Sequence, residues 1–247
     1  MTIPFEPVVF GIKINIHLIL EYLAFFIAFR YYLKIRKFSN DQISNRNRLS
    51  IILGAIVGAF VGSRLIGFLE NPMVTLNLQN IMLLLNTKSI MGGLFGGLIG
   101  VEASKKIIKE NYSSGDMFTF PIILGIIIGR IGCFLSGIKE FTYGKETSFI
   151  TGMDLGDGLS RHPTSLYEIV FLLLLFVFLK KIAFFTNEQS GLLFKIFMIT
   201  YFGFRFMIEF LKPNIFYILG LSSIQLLCII CWGYYIPTFK KIFKNAY

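Results

Sequence analysis

Arg64, Arg130, Glu168, Arg205 and Glu209 all sit within long apolar runs of this sequence, and His17 and Glu21 lie one helical turn apart in another. An ionisable side chain in such a run is costly, so by default it marks a functional site or a structural ion pair. Tyr201, Arg205 and Glu209 are spaced by four, which places them on one stripe of a helix. That stripe reads either as an Arg–Glu pair that neutralises itself or as a cationic contact for an anionic group. Arg130 and Cys133 are three apart within GIIIGRIGCFLSG, whose glycines allow a second backbone or a lipid phosphate to come close. GGLFGGLIG (92–100), which contains Gly96 and Gly97, has the same two readings: tight helix packing or the wall of a substrate groove. It has neither GxGxxG spacing nor a strand before it, so it is no nucleotide loop. His17 and His162 form no HExxH, no Cys/His cluster points to a metal, and no GxSxG elbow or kinase signature appears. No metal and no cofactor are expected. Cys228 and Cys231 read as two small core residues.

The elements that must carry these groups follow from composition. Hydrophobic residues make up 55% of the 247 and charged residues only 15%, against about a quarter in a soluble domain. Mean hydropathy is +0.69. These values exclude disorder, a disulfide scaffold and an ordinary cytosolic enzyme. The net charge of +10 does not indicate nucleic acid, because the basic residues border apolar runs. We expect an all-α integral membrane protein forming a single transmembrane domain over 1–247. About 20 apolar residues cross a bilayer. Seven stretches qualify, at approximately 14–33, 50–69, 89–108, 117–136, 164–185, 190–212 and 216–238. The opening MTIPFEPVVF has no basic segment and precedes no small-residue cleavage site, so the first stretch is expected to be a retained span. The shorter, Asn-interrupted segment 72–88 reads as an interfacial or re-entrant arm.

Fifteen Lys and Arg residues fall on one side of this arrangement, six on the other and three within spans. The positive-inside rule therefore puts the N-terminus outside and the C-terminus inside. No internal repeat of a transporter kind is visible. With that orientation, Arg64, Arg130 and Arg205 lie near the outer surface with Glu21, Glu168 and Glu209, and so do His17 and His162. They gather beneath the longest outer loop, 137–163. Charges drawn from at least five spans to one depth favour a lipid-headgroup site over a set of structural salt bridges.

The same residues resemble the prolipoprotein diacylglyceryl transferase family. Gly129-Arg130-Ile131-Gly132 looks like the start of its GRIGN signature, RHPTSLYE (161–168) like its RHP-x-Q-L-Y-E stretch, and YFGFRFMIEF (201–210) like its Y-x-x-x-R-x-x-x-E helix. GSRLIG (62–67) is similar to its G-x-R-L-G segment and GGLIG (96–100) to the end of its HGG-L-x-G segment. The matches come in family order and run from about residue 10 to 213. This chain departs from the pattern in three places. Phe95 stands where the family has His, Cys133 where it has the signature Asn, and Ile19 where it has a Tyr in the first span. The stretch from Cys133 to Tyr143-Gly144 is longer than in the family, which leaves Glu140 as a candidate for the family's Glu.

The resemblance implies a transferase of the bacterial inner membrane with its active face towards the periplasm or exterior. Diacylglycerol would pass from phosphatidylglycerol to the lipobox cysteine of a preprolipoprotein. Such a displacement needs cations on the departing phosphate, for which Arg suits better than Lys. It also needs a group to accept the thiol proton. Arg130 and Arg205 are the expected phosphate clamps, and Glu209 an orienting group or base. Tyr201 would position the headgroup. Arg64, Gly96, Gly97, Cys133, Gly144, His162 and Glu168 are expected around the substrate. With Phe95 in place of His, His17 and Glu21 become the candidate proton acceptors, with His162 as rival, and His17 has the alternative reading of an interfacial helix cap. The expected partners are an anionic phospholipid and a preprolipoprotein, with a membrane protein partner possible and no nucleic acid. Two other functions compete: a transferase with another lipid donor or acceptor, and a non-catalytic lipid-binding membrane subunit.

Overall fold

The computed structural model describes residues 3–39, 41–70, 87–140, 142–185, 191–213 and 219–244. The expected arm at 72–88 falls almost entirely outside them. The described residues hold seven α-helices: α1 (Ile16–Phe38), α2 (Asn45–Glu70), α3 (Ile90–Ile108), α4 (Asp116–Ser136), α5 (Thr164–Phe185), α6 (Leu192–Ile208) and α7 (Ser223–Lys244). Each matches one of the seven apolar stretches. Three helical segments, Ile16–Phe38, Asn45–Glu70 and Asp116–Lys139, are by themselves long and apolar enough to cross a membrane. Contacts group the chain into two compact units.

The first unit contains α1, α4, α5 and the start of α6. Asn15 caps α1, its side chain accepting the Leu18 N–H at 3.0 Å. The cap is therefore Asn15 and not His17. Helix α1 runs past residue 33, where the apolar stretch ends, because nothing in the basic segment breaks a helix. Arg36 and Lys37 in its last turn suit the negative end of the helix dipole. Small residues bring α1 and α4 together: a Cβ on Gly125 would meet Ala28, and one on Gly132 would meet Leu20 and His17. Tyr32 stacks on Phe118 with ring centroids 4.5 Å apart. Phe120 meets Phe176 of α5 edge-on at 5.1 Å.

Two hairpins complete this unit. Strand β1 (Val8–Val9) pairs antiparallel with β2 (Ile12–Lys13), with Val9 opposite Ile12. The turn residues Phe10 and Gly11 both have positive φ, 51° and 80°, as the twist of a two-residue hairpin turn requires. In the loop expected over the site, β3 (Met153–Asp154) pairs with β4 (Ser160–Arg161). One Asp154 oxygen accepts the N–H groups of Gly156, Asp157 and Gly158 at 2.8, 3.2 and 3.0 Å. Arg161 Nε donates to Asp157 at 2.7 Å. Gly137 ends α4 with φ +57, and a Cβ there would lie 2.2 Å from the Leu155 carbonyl. Only glycine lets the loop return so closely.

The second unit contains α2, α3, most of α6 and α7. Gly54, Gly58 and Gly62 of α2 face Gly100, Gly96 and Gly92 of α3. A Cβ on Gly58 would lie 2.2 Å from the Gly96 carbonyl, and one on Gly96 would lie 2.3 Å from that of Gly58. These backbones touch, the arrangement that small residues at a four-residue interval allow between membrane helices. Helix α2 starts five residues before the apolar run, because polar contacts hold its first turns. Arg48 Nε donates to Asp41 at 3.1 Å and Asn47 Nδ2 to Glu110 at 2.9 Å. Helix α7 starts later than its apolar run, at a reciprocal cap. The Ser222 N–H donates to Gln225 Oε1 at 2.9 Å and the Gln225 N–H to Ser222 Oγ at 3.2 Å.

Candidate active site

The backbone of α4 turns Arg130 and Cys133 to one side, three residues apart, and both are buried. Arg130 Nε lies 2.8 Å from the Glu168 carboxylate on α5, which is only 1% exposed. A carboxylate so deeply buried is stable as an anion only beside a cation. The pair therefore fixes both the α4–α5 approach and the direction of the guanidinium. Arg130 Nη1 also reaches Cys133 Sγ, at 3.8 Å.

Gly132 lets α1 approach α4 closely, and this close approach brings the first turn of α1 onto Cys133. His17 Nε2 lies 3.5 Å from Cys133 Sγ. The opposite ring nitrogen, Nδ1, is 3.4 Å from Glu140 Oε1. Glu140 follows the short 3-10 turn Gly137–Lys139 at the end of α4. Glu140, a residue of the loop, is thus a carboxylate at this ring, and Glu21 lies one turn along α1. A small open cleft adjoins Cys133, lined by Cys133, Phe134, Thr142, Tyr143, Leu155 and Pro163 among others.

The loop residues have structural tasks beside the cleft. The Gly144 N–H donates to the His162 carbonyl at 2.9 Å, and a Cβ at Gly144 would lie 2.5 Å from that of His162. His162 Nδ1 is 3.1 Å from the Tyr167 hydroxyl, and its backbone pairs with Lys145. The RHP stretch is therefore a turn that leads into α5. Thr164 and Ser165 donate their hydroxyls to the Thr142 carbonyl, Ser165 at 3.4 Å, and hold the loop to the start of α5.

In the second unit, Arg205 Nη2 donates to Glu209 Oε1 at 2.5 Å, and both are buried together with Tyr201. Glu209 opens a 3-10 turn, yet keeps the one-turn spacing that the sequence stripe requires. Gln225 Nε2 to the Phe206 carbonyl (3.1 Å) and Trp232 Nε1 to the Ile199 carbonyl (3.2 Å) lock α7 onto this stretch of α6. Arg64 Nη1 donates to the Thr87 carbonyl at 2.7 Å, with its guanidinium over the Phe60 ring at 5.3 Å. Gly96 is engaged against α2, and Gly97 faces Ala55 and Ala59 of the same helix. For these two glycines, tight packing is the reading that the contacts support. The first unit accordingly links His17 and Arg130 to Cys133, with Glu140 on the His17 ring and Glu168 on Arg130, and Cys133 is the member of this cluster that lines the cleft. The second holds a separate buried Arg–Glu pair.

A helical membrane protein with buried arginine–carboxylate pairs is the class that this architecture defines. Its sequence places it more narrowly. The profile of the prolipoprotein diacylglyceryl transferase family matches residues 7–237, and the chain belongs to that family. It is 30% identical over 230 residues to the phosphatidylglycerol–prolipoprotein diacylglyceryl transferase of Wolbachia sp. subsp. Brugia malayi, covering 84% of this chain and 82% of that one. The protein of the same name from Ehrlichia ruminantium (strain Welgevonden) is 34% identical over 198 residues, with 75% and 73% covered. That from Finegoldia magna is 32% identical over 235 residues, with 90% and 88% covered.

Proposed function

We propose that this chain transfers the diacylglyceryl group of phosphatidylglycerol to the lipobox cysteine of a preprolipoprotein, at the bacterial inner membrane. The observation that carries this reading is the buried Arg130–Glu168 pair, whose guanidinium reaches the cleft-lining Cys133, in a chain matched to the transferase family over 7–237. The reaction replaces a carbon–oxygen bond of the glycerol by a carbon–sulfur bond, and glycerol phosphate leaves. Arg130, aimed by Glu168, neutralises the departing phosphate as its charge develops. His17 accepts the proton of the incoming thiol. Nδ1–H directed at Glu140 leaves Nε2 as the acceptor, and an imidazole suits this role near neutral pH. Arg205, aimed by Glu209 in the same manner, is a second anion-holding group.

The proposed topology has seven spans, with the N-terminus and the loop 137–163 outside and the basic segments inside, which opens the cleft to the exterior. One observation favours the variant in which donor or acceptor differs from the relatives' own: Cys133, at the family's Asn position, is the group that faces His17. A lipobox peptide incubated with the purified protein and phosphatidylglycerol tests the proposal. A peptide carrying diacylglycerol as a thioether, with glycerol phosphate released, is expected. An unmodified peptide under conditions where the protein is folded would overturn it.

A further inference from the structure

Cys133, His17 and Glu140 stand in the order that activates a nucleophile. Sγ is 3.5 Å from one ring nitrogen of His17, and the other ring nitrogen is 3.4 Å from a carboxylate. A nucleophile, a base and a group that orients the base, each within reach of the next, make a triad by geometry whatever the chain order. Cys133 also lines the open cleft, and Arg130 Nη1 lies 3.8 Å from its sulfur. The transfer of diacylglycerol to an external thiol has no use for a protein thiol at this point. The other two cysteines, Cys228 and Cys231, are buried in α7.

We propose that Cys133 is a nucleophile towards the acyl esters of a phospholipid, forming a thioester on the protein. The substrate class rests on the phospholipid reading of the cleft, but not on any lipobox acceptor. A phosphate held at Arg130 places the ester of the neighbouring glycerol carbon close to the sulfur. His17 Nε2 takes the thiol proton, and the thiolate adds to the ester carbonyl. The bond from the carbonyl carbon to the glycerol oxygen then breaks, and His17 returns the proton to that oxygen. A lysophospholipid leaves, and the acyl group stays on Cys133. Water, deprotonated by His17, cleaves the thioester to a fatty acid and restores the thiol. No oxidant, metal or cofactor enters the balance. Glu140 acts through His17 and is a positioning residue.

The experiment uses the full chain in detergent micelles with two probes, p-nitrophenyl decanoate and dioleoyl phosphatidylglycerol. A rapid, stoichiometric release of p-nitrophenolate is expected, with a decanoyl adduct that hydroxylamine removes and that peptide mapping places on Cys133. The phospholipid should yield lysophosphatidylglycerol. His17→Ala should slow acylation by about 10²-fold or more, the scale of a lost general base. Glu140→Gln should slow it less, with Glu140→Asp restoring part of the rate, which a merely structural role would not do. An absent adduct, or one on Cys228 or Cys231, overturns the proposal, and wild-type protein alone decides this. The lipobox peptide assay separates this inference from the transferase reading, because its thioether resists hydroxylamine. Acylated Cys133 with an unmodified peptide leaves the thioester standing and removes the transferase. Modified peptide with bare Cys133 does the reverse.

Discussion

Arg130 and Glu168 allow stability and function to be separated. With exposures of 6% and 1% and a contact of 2.8 Å, neither can be removed without taking from its buried partner the opposite charge beside it. Breaking a buried pair from one side costs about 3–5 kcal/mol. At roughly 2–4 °C per kcal/mol for a chain of this size, Arg130→Met and Glu168→Leu should each lower the apparent melting temperature by roughly 6–20 °C in a fixed detergent. The double variant leaves no charge behind. Replacing both members by apolar groups is often close to neutral, so it should melt well above either single variant. Activity should behave oppositely. If Arg130 holds the lipid phosphate, the double variant is folded and inactive, and lipid transfer or phospholipid binding stays lost although stability returns. Thermal unfolding followed by tryptophan fluorescence, with the peptide assay on the same preparations, measures both. A double variant whose destabilisation is the sum of the singles would refute the pairing argument. A stable double variant with wild-type activity would refute the functional role of Arg130.

Four further outcomes are expected. Glu140→Gln and His17→Ala should each lower transfer to a lipobox peptide, His17→Ala by about 10²-fold, and Glu21→Gln should match it only if Glu21 also serves the ring. Equal, wild-type-like rates would take α1 out of the mechanism. A cysteine introduced by Lys145→Cys should react with an impermeant maleimide from outside intact cells, and labelling only from the cytoplasm would reverse the proposed topology. Gly96→Leu should prevent stable folding because its Cβ would meet the Gly58 carbonyl at 2.3 Å, whereas Gly93→Ala, with nothing nearer than 3.7 Å, should be tolerated; similar yields of both would contradict the close α2–α3 approach. The N–H donors of Gly156, Gly158 and Asp157 hold the Asp154 carboxyl below its ordinary value of 3.8. Its contribution to the loop is therefore complete above about pH 3.8 and lost as pH falls through the lower folded value. Pepsin should accordingly cut 153–161 more readily at the lowest pH, and Asp154→Asn should flatten that dependence.

Local chemistry made much of this protein legible from its residues. Apolar runs of bilayer length marked the seven helices of the described residues, because hydrophobicity over some 20 residues needs no knowledge of neighbours. The interval of four between Arg205 and Glu209 became a contact because a helix sets that spacing by its own geometry. Helix ends were less visible. The Ser222–Gln225 cap was present in the sequence as S-x-x-Q, but apolar content alone extended the stretch past it. Tertiary structure decided which partner each charge took. Arg130 and Glu168 are 38 positions apart on different helices, and only the packing of α4 on α5 makes them a pair. GGLFGGLIG favoured a packed interface over a groove from its sequence, but only its contacts show which glycines of α2 it meets. His17, Cys133 and Glu140 carry no mutual spacing signal, since more than a hundred residues separate the histidine from the other two. Gly132 lets α1 close on α4, and the turn after α4 brings Glu140 back over the ring. A group of three side chains drawn from two helices and a loop exists only once those backbones have packed.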